Sequence, residues 1–163
     1  MNVKLKRMTN DLNVALKKEE CNLNKLLNDA IDKIKSNFIT KSQMEYFILS
    51  PQNDDIIIFT DINYFKMIIE HLLTNAAKFT EKGSITVKSE RCDERICISI
   101  TDTGCGIKPE MQHKIFNSFT KTDEFKTGLG IGLSLCRLIA EKIDCTIELD
   151  KKYTNGSRFI VTI

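Results

Sequence analysis

Residues 102–107 read DTGCGI and follow directly on a stretch of alternating apolar residues at positions 96–100. Such alternation predicts a strand with one buried face. Two glycines one residue apart, Gly104 and Gly106, let the backbone turn sharply after the strand and approach a ligand closely. Asp102, at the strand end, can accept a hydrogen bond from an exocyclic amine. An Asp-Gly turn without a function is the alternative interpretation.

A second glycine cluster, residues 128–134 (GLGIGLS), is predicted to open a helix that runs to Ile143. Free backbone amides at a helix start suit a phosphate group when no side chains stand in the way. The cluster is not a Walker loop, because no Gly-Lys-Ser/Thr sequence ends it. It is not the dinucleotide fingerprint either, because its third glycine comes one residue too early and no strand precedes it directly.

A long helix is predicted over residues 61–80, with two adjacent stripes at ~100° per residue. One face carries His71, Asn75, Lys78 and Phe79. The neighbouring face is apolar and carries Phe65, Ile69, Leu72, Leu73 and Ala76. Polar groups at the edge of a buried stripe can point into a cleft, and a partly solvated helix flank is the alternative.

The rest of the chain predicts an α+β fold. Further helices are expected over residues 1 to about 20, from Asn22 to Phe38 and from near Pro109. Strands are expected over residues 44–49, 56–59, 85–87, 96–100, 146–152 and 158–163, the last two joined through Asn155-Gly156. This order predicts a two-layer α/β sandwich with a mixed, mostly antiparallel sheet. The first helix has a narrow apolar seam that favours partners outside this sequence: Leu5, Met8, Leu12, Ala15 and Leu16.

Composition excludes several classes of function. The 163 residues carry a net charge of +2, without the basic excess of a nucleic-acid surface. No apolar run approaches the ~20 residues of a membrane span. The six cysteines form no CxxC pair and only two histidines are present, so zinc-site spacing is absent.

Together with residues 115–119 (IFNSF), the three motifs resemble the ATP-binding catalytic domain of sensor histidine kinases. That family has the Bergerat ATP-binding fold of the GHKL superfamily and carries an Asn box, a DxGxG box, a phenylalanine box and a GxGxG box in this order. The resemblance covers about residues 22 to 163. It implies that residues 1–20 are the end of a dimerisation helix or linker and that residues 21–163 form the ATP-binding domain.

The resemblance implies a role for each matching residue. Asn75 would coordinate the Mg²⁺ ion that bridges the phosphates, Lys78 would contact phosphate oxygens and Phe79 would pack near the adenine. Asp102 would accept a hydrogen bond from the adenine amino group. Lys121, in a short lid, stands where many members have an arginine near the terminal phosphate.

Two sets of residues follow from the resemblance. The catalytic set is His71, Asn75 and Lys121. The ATP-binding set is Asn75, Lys78, Phe79, Asp102, Gly104, Gly106, Ile107, Phe119, Lys121, Gly128, Leu129, Gly130, Ile131, Gly132 and Leu133.

The reaction that the resemblance implies is transfer of the γ-phosphoryl group from ATP, with Mg²⁺, to a histidine. That histidine would lie on the dimerisation or histidine-phosphotransfer domain of the same kinase, so this chain alone should not phosphorylate itself. A response-regulator receiver domain would accept the phosphoryl group afterwards. No nucleic-acid partner is expected, and the expected location is the cytoplasm, whether or not the parent kinase is membrane-anchored.

The sequence departs from the family at three places. His71 stands where most histidine kinases have Asn and gyrase-type ATPases have a Glu base, and Glu70 points ~140° away from Asn75 on the helix. Asp144-Cys145 replaces the usual Gly-Gly after the last helix, and neither His71 nor His113 is placed as a phospho-acceptor. Two alternatives stay open: a nucleotide-binding module without turnover, and a gyrase-like ATPase, which the absence of an acid at position 71 disfavours.

Overall fold

A computed structural model describes residues 14–38, 47–49, 55–117 and 132–163. The strands are β1 (Lys18–Asn22), β2 (Phe47–Leu49), β3 (Ile57–Asp61), β4 (Ile85–Cys92), β5 (Arg95–Asp102), β6 (Thr146–Leu149) and β7 (Ser157–Thr162). The helices are α1 (Leu23–Phe38), α2 (Ile62–Phe79) and α3 (Gly132–Lys142).

The described strands form a five-stranded sheet in the order β2-β4-β5-β7-β6 and a two-stranded sheet of β1 and β3. Strand β2 is parallel to β4, and the other neighbouring pairs are antiparallel. The mixed, mostly antiparallel sheet expected from the sequence is therefore confirmed.

One face of the large sheet lies against the helices. Alternate residues of β5 are buried, namely Ile96, Ile98 and Ile100, as their spacing predicts. The buried residues of β4, β7 and the three helices belong to the same apolar core. The two-layer α/β sandwich is confirmed.

Helix α2 is the element that orients the candidate site. Its N-terminus is capped by Asp61, whose Oδ1 accepts a hydrogen bond from the Tyr64 amide at 3.2 Å. Its apolar stripe is fully buried, at Phe65, Ile69, Leu72, Leu73 and Ala76. Burial of that stripe turns the neighbouring face, with His71 and Asn75, to the edge of the core.

The N-terminal helix is a wrong prediction over the part that the structure describes. Residues 14–17 are not helical, and Lys18–Asn22 is a strand that pairs antiparallel with β3. The amide of Lys17 also donates to Asp61 Oδ2 at 2.9 Å. These backbone pairings with a distant segment outweigh a local helical spacing that buries little apolar surface. Leu5, Met8 and Leu12 lie outside the described residues, as do residues 44–46 of the second predicted strand.

The helix expected near Pro109 is wrong as well. Residues 109–117 form successive turns, in which Met111 bonds to Lys108, and Lys114 to Met111, each at 2.8 Å. These bonds span three residues rather than the four of an α-helix. Ile115 is buried in the core, so the turns bring an apolar anchor inwards without a regular helix.

The other two helices agree with their predicted positions. Asn22 caps α1, since its Oδ1 accepts a hydrogen bond from the Lys25 amide at 3.0 Å. Helix α3 begins at Gly132 within the described residues and ends at Lys142. Among the helices that the structure describes, none combines the length and apolar character needed to cross a membrane.

Candidate functional site

The first wall of the site is the polar face of α2. His71, Asn75 and Phe79 follow one another at intervals of one turn, so the face extends ~12 Å from His71 to Phe79. Asn75 is half-buried, and its side chain makes no hydrogen bond to another described residue. Among the described residues, its amide thus has no partner that would compete with a ligand. Lys78 is exposed beside it.

Asp102 lies at the end of β5 with only 4% of its surface exposed. Its Oδ1 accepts hydrogen bonds from the amides of Gly104 at 2.9 Å and Ser157 at 3.2 Å. Within the described part of the chain, no donor reaches Oδ2. Burial raises the pKa of this carboxyl, and the two amide bonds act in the opposite direction. The carboxyl thus holds one oxygen in place and leaves the other to accept from a ligand.

Gly104 joins this turn to the end of α2. A β-carbon built on Gly104 would overlap the carbonyl oxygen of Phe79 and lie 2.8 Å from its carbonyl carbon. The next amide, of Cys105, donates to that same oxygen at 3.3 Å. The turn therefore lies close to the backbone of α2, while the approach to a ligand that the sequence predicted for this motif stays a prediction.

Two site residues were missed by the sequence analysis, Gly156 and Ser157. Gly156 has a φ of 143°, and a β-carbon there would overlap the carbonyl oxygen of Asp102. Gly106, with a φ of 71°, faces the carbonyl oxygen of Gly156. The loop between β6 and β7 thus supports the Asp102 turn. The Asn155-Gly156 pair signals a turn, but nothing in the local sequence indicates which strand end that turn contacts.

His71 contacts the start of α3. A β-carbon built on Gly132 would overlap Nε2 and Cε1 of the imidazole and lie 3.0 Å from Cδ2. Burial, and then the positive charge of Lys78, lower the pKa of His71 below its usual value of 6.5. The ring is therefore neutral at pH 7 and lies between the two helices.

Glu70 lies outside the site, as its position on the helix predicts. Its Oε2 accepts a hydrogen bond from Nζ of Lys33 on α1 at 2.6 Å. One oxygen of this carboxylate is thus paired with α1, away from Asn75. No group of three or more His, Cys, Asp or Glu side chains able to hold a metal occurs among the described residues.

The structure brings five of the predicted site residues together in two contacts at helix α2. His71 meets Gly132, Phe79 meets Gly104, and Asp102 bonds to Gly104. Ile107 and Leu133 are partly buried against the apolar core. Six predicted residues lie outside the described part of the chain: Phe119, Lys121, Gly128, Leu129, Gly130 and Ile131.

Comparison with known proteins identifies one matching family model and several similar sensor proteins. The family model described as histidine kinase-, DNA gyrase B- and HSP90-like ATPase matches residues 60–163. The adaptive-response sensory kinase SasA of Gloeothece citriformis is 40% identical over 110 residues, 65% of this chain and 28% of that protein. The sensor protein BceS of Halalkalibacterium halodurans is 31% identical over 158 residues, 95% of this chain and 45% of that protein. This chain therefore spans less than half the length of either relative.

Among solved structures, the catalytic domain of the histidine kinase ThkA, in a nucleotide-free form, superposes with a TM-score of 0.77. The two are 29% identical, and the match covers 91% of this chain and 95% of that one. This chain belongs to the histidine kinase-, DNA gyrase B- and HSP90-like ATPase family, as the ATP-binding catalytic domain of a sensor histidine kinase.

Proposed function

We propose that this domain transfers the γ-phosphoryl group of ATP to a histidine on a separate dimerisation domain. The observation that carries the proposal is the pairing of a buried Asp102, whose Oδ2 has no donor among the described residues, with a polar helix face leading away from it. A nucleotide with its adenine amino group on Asp102 would place its phosphates along Asn75 towards His71. The similarity to the sensory kinase SasA and to the catalytic domain of the histidine kinase ThkA supports this assignment.

The residues at the Asp102 end suit an adenine. A carboxylate oxygen accepts a hydrogen bond from an amino group, and burial strengthens such a charge-assisted bond by excluding water. The backbone carbonyl of Phe79 borders the same turn at Gly104. Phe79 and Asp102 would bind the base, and Gly104 would let the Asp102 turn lie against the end of α2.

Asn75 and Lys78 would hold the phosphate end. Mg²⁺ is bound in proteins through one or two oxygen ligands together with substrate phosphates and water. The Asn75 amide, which has no hydrogen-bond partner among the described residues, fits a metal that arrives with the nucleotide. When bound, Mg²⁺ neutralises phosphate charge. Lys78 would add a positive charge, and positioning of this kind is the main contribution that proteins make to phosphoryl transfer.

The partner of the domain would supply the attacking imidazole. The dimerisation domain of the same kinase and a response-regulator receiver domain are the proposed partners, with the cytoplasm as the location. Lys121 would assist near the terminal phosphate from the lid.

The first experimental consequence is that the isolated chain does not label itself. Neither histidine is placed to receive the phosphoryl group: His71 is held between α2 and α3, and His113 is exposed among the turns after Pro109. Mass spectrometry after incubation with Mg-ATP should show no phosphate on either residue. Acid-labile, base-stable phosphate on His71 or His113 would contradict the proposal, and steady ATP hydrolysis by the chain alone would favour the gyrase-like alternative.

The second consequence is that ATP raises the pKa of His71. In the free domain burial and Lys78 hold this pKa below 6.5, so the ring is neutral at pH 7. A phosphate anion near the ring favours the protonated form, and uptake of a proton on binding makes affinity rise as pH falls. ATP should therefore bind more tightly at mildly acidic pH than at pH 8. The test uses metal-free ATP, because the positive charge of Mg²⁺ would oppose the rise in the pKa of His71.

Imidazole NMR titrations with and without ATP measure this directly, and His113 is the internal control. A His71→Asn variant removes the effect of the ring and leaves only the protonation of ATP itself. Identical titration of His71 in the free and bound domain would show that the ring does not sense the phosphates.

A further inference from the structure

The contact between α2 and α3 is made where a glycine faces a histidine ring. Gly132 is the first residue of α3, and its φ lies outside the left-handed region, so its backbone conformation does not require glycine. The space for a side chain at this position is occupied by Nε2 and Cε1 of His71. The position of the His71 ring therefore explains why position 132 has no side chain.

This contact lies at one end of the candidate site. His71 is eight residues before Phe79, ~12 Å along the axis of α2, and Phe79 borders the Asp102 turn. The first turn of α3 has backbone amides without partners within the helix. The ring thus meets α3 at the end of the polar face that is farther from Asp102, where the proposed function places the phosphates.

We propose that His71 is a positioning residue, whose ring seats against Gly132 and holds the first turn of α3 at the phosphate end of the site. The inference rests on the proposed function for the identity of the ligand. A smaller side chain at position 71 would leave a gap beside Gly132, and a larger one at position 132 would displace the ring or the helix. The two positions are therefore matched in size.

A double-mutant cycle tests the pairing by calorimetric titration with ATP and with adenosine. Gly132→Ala should weaken ATP binding about tenfold or more through overpacking. Adenosine should bind as it does to the wild-type chain, because the Asp102 end is unchanged. Adding His71→Ala should remove the overlap, so H71A/G132A should bind ATP within about threefold of His71→Ala alone.

The matched control is His113→Ala combined with Gly132→Ala. His113 is exposed, so its replacement should not restore the ATP affinity that Gly132→Ala loses. If Gly132→Ala does not fold, the test is the comparison of H71A/G132A with His71→Ala, whose ATP affinities should still agree within about threefold.

Wild-type ATP affinity in Gly132→Ala would overturn the inference, as would equal losses for ATP and adenosine. Lack of rescue by His71→Ala would do so too. Failure of the proposed function looks different. If the site binds no nucleotide, the wild-type chain binds neither ligand, and if the domain binds ATP without transferring its phosphoryl group, the affinities of this cycle are unaffected.

Discussion

Asp102→Asn is expected to weaken the binding of both ATP and ADP by about one to two decades, while the domain stays folded. Asp102 Oδ1 is held by two backbone amides, and Oδ2 is the oxygen left for the ligand. An Asn places an amino group where that oxygen stood, so a donor faces the adenine amino group. Loss of a charge-assisted hydrogen bond costs ~1.5–3 kcal/mol. Isothermal titration calorimetry measures the change for each nucleotide.

The fold should tolerate this substitution, because Asn keeps an oxygen for the two amides. Burial raises the pKa of Asp102, so the folded state disfavours its ionised form at neutral pH. Replacing it with a neutral side chain removes that cost, and the free energy of unfolding should not fall. Asp32→Asn, on the exposed face of α1, is the matched control and should leave nucleotide affinity unchanged. Equal affinity of Asp102→Asn and the wild-type chain would remove Asp102 from the adenine site.

Gly156→Ala should destabilise the domain by ~2–4 kcal/mol and weaken nucleotide binding at least about tenfold. A φ of 143° is strained for any residue with a β-carbon, and that β-carbon would overlap the Asp102 carbonyl oxygen. Backbone atoms cannot rotate out of the way as a side chain does. The shift would also disturb the Ser157 amide, which holds Asp102 in position.

Thermal unfolding and calorimetric titration of the same preparation measure both effects of Gly156→Ala. Asn155→Ala is the matched control, since Asn155 is the exposed neighbour in the same loop and has no positive φ. It should unfold and bind ATP as the wild-type chain does. A Gly156→Ala chain with wild-type unfolding temperature and affinity would show that the loop does not support the Asp102 turn.

The parts of the fold that could be predicted are those whose signal is local. The stripe of α2 and the alternation of β5 each bury one face, and periodicity alone identifies that face. The cap of α1 at Asn22 is also predictable from a few adjacent residues. The orientation of the polar face of α2 follows from the same periodicity.

What could not be predicted depends on contacts between distant segments. Lys18–Asn22 is a strand because β3, about forty residues later, provides its partner. The turns after Pro109 bury Ile115 against core residues from other parts of the chain, a contact that the local sequence does not reveal. Likewise, Gly156 reaches Asp102, and His71 reaches Gly132, across separations that no local pattern records.

The most direct test of the account is transfer of the phosphoryl group itself. The chain is incubated with γ-labelled Mg-ATP and the dimerisation domain of its own kinase. The stability of the protein-bound label in acid and in base is then measured. Acid-labile, base-stable label should accumulate on a histidine of the dimerisation domain. An Asn75→Ala chain should give at least about tenfold less label, through loss of a group that orients the phosphates. A wild-type chain that binds ATP and leaves the dimerisation domain unlabelled would contradict the account and identify a nucleotide-binding module without turnover.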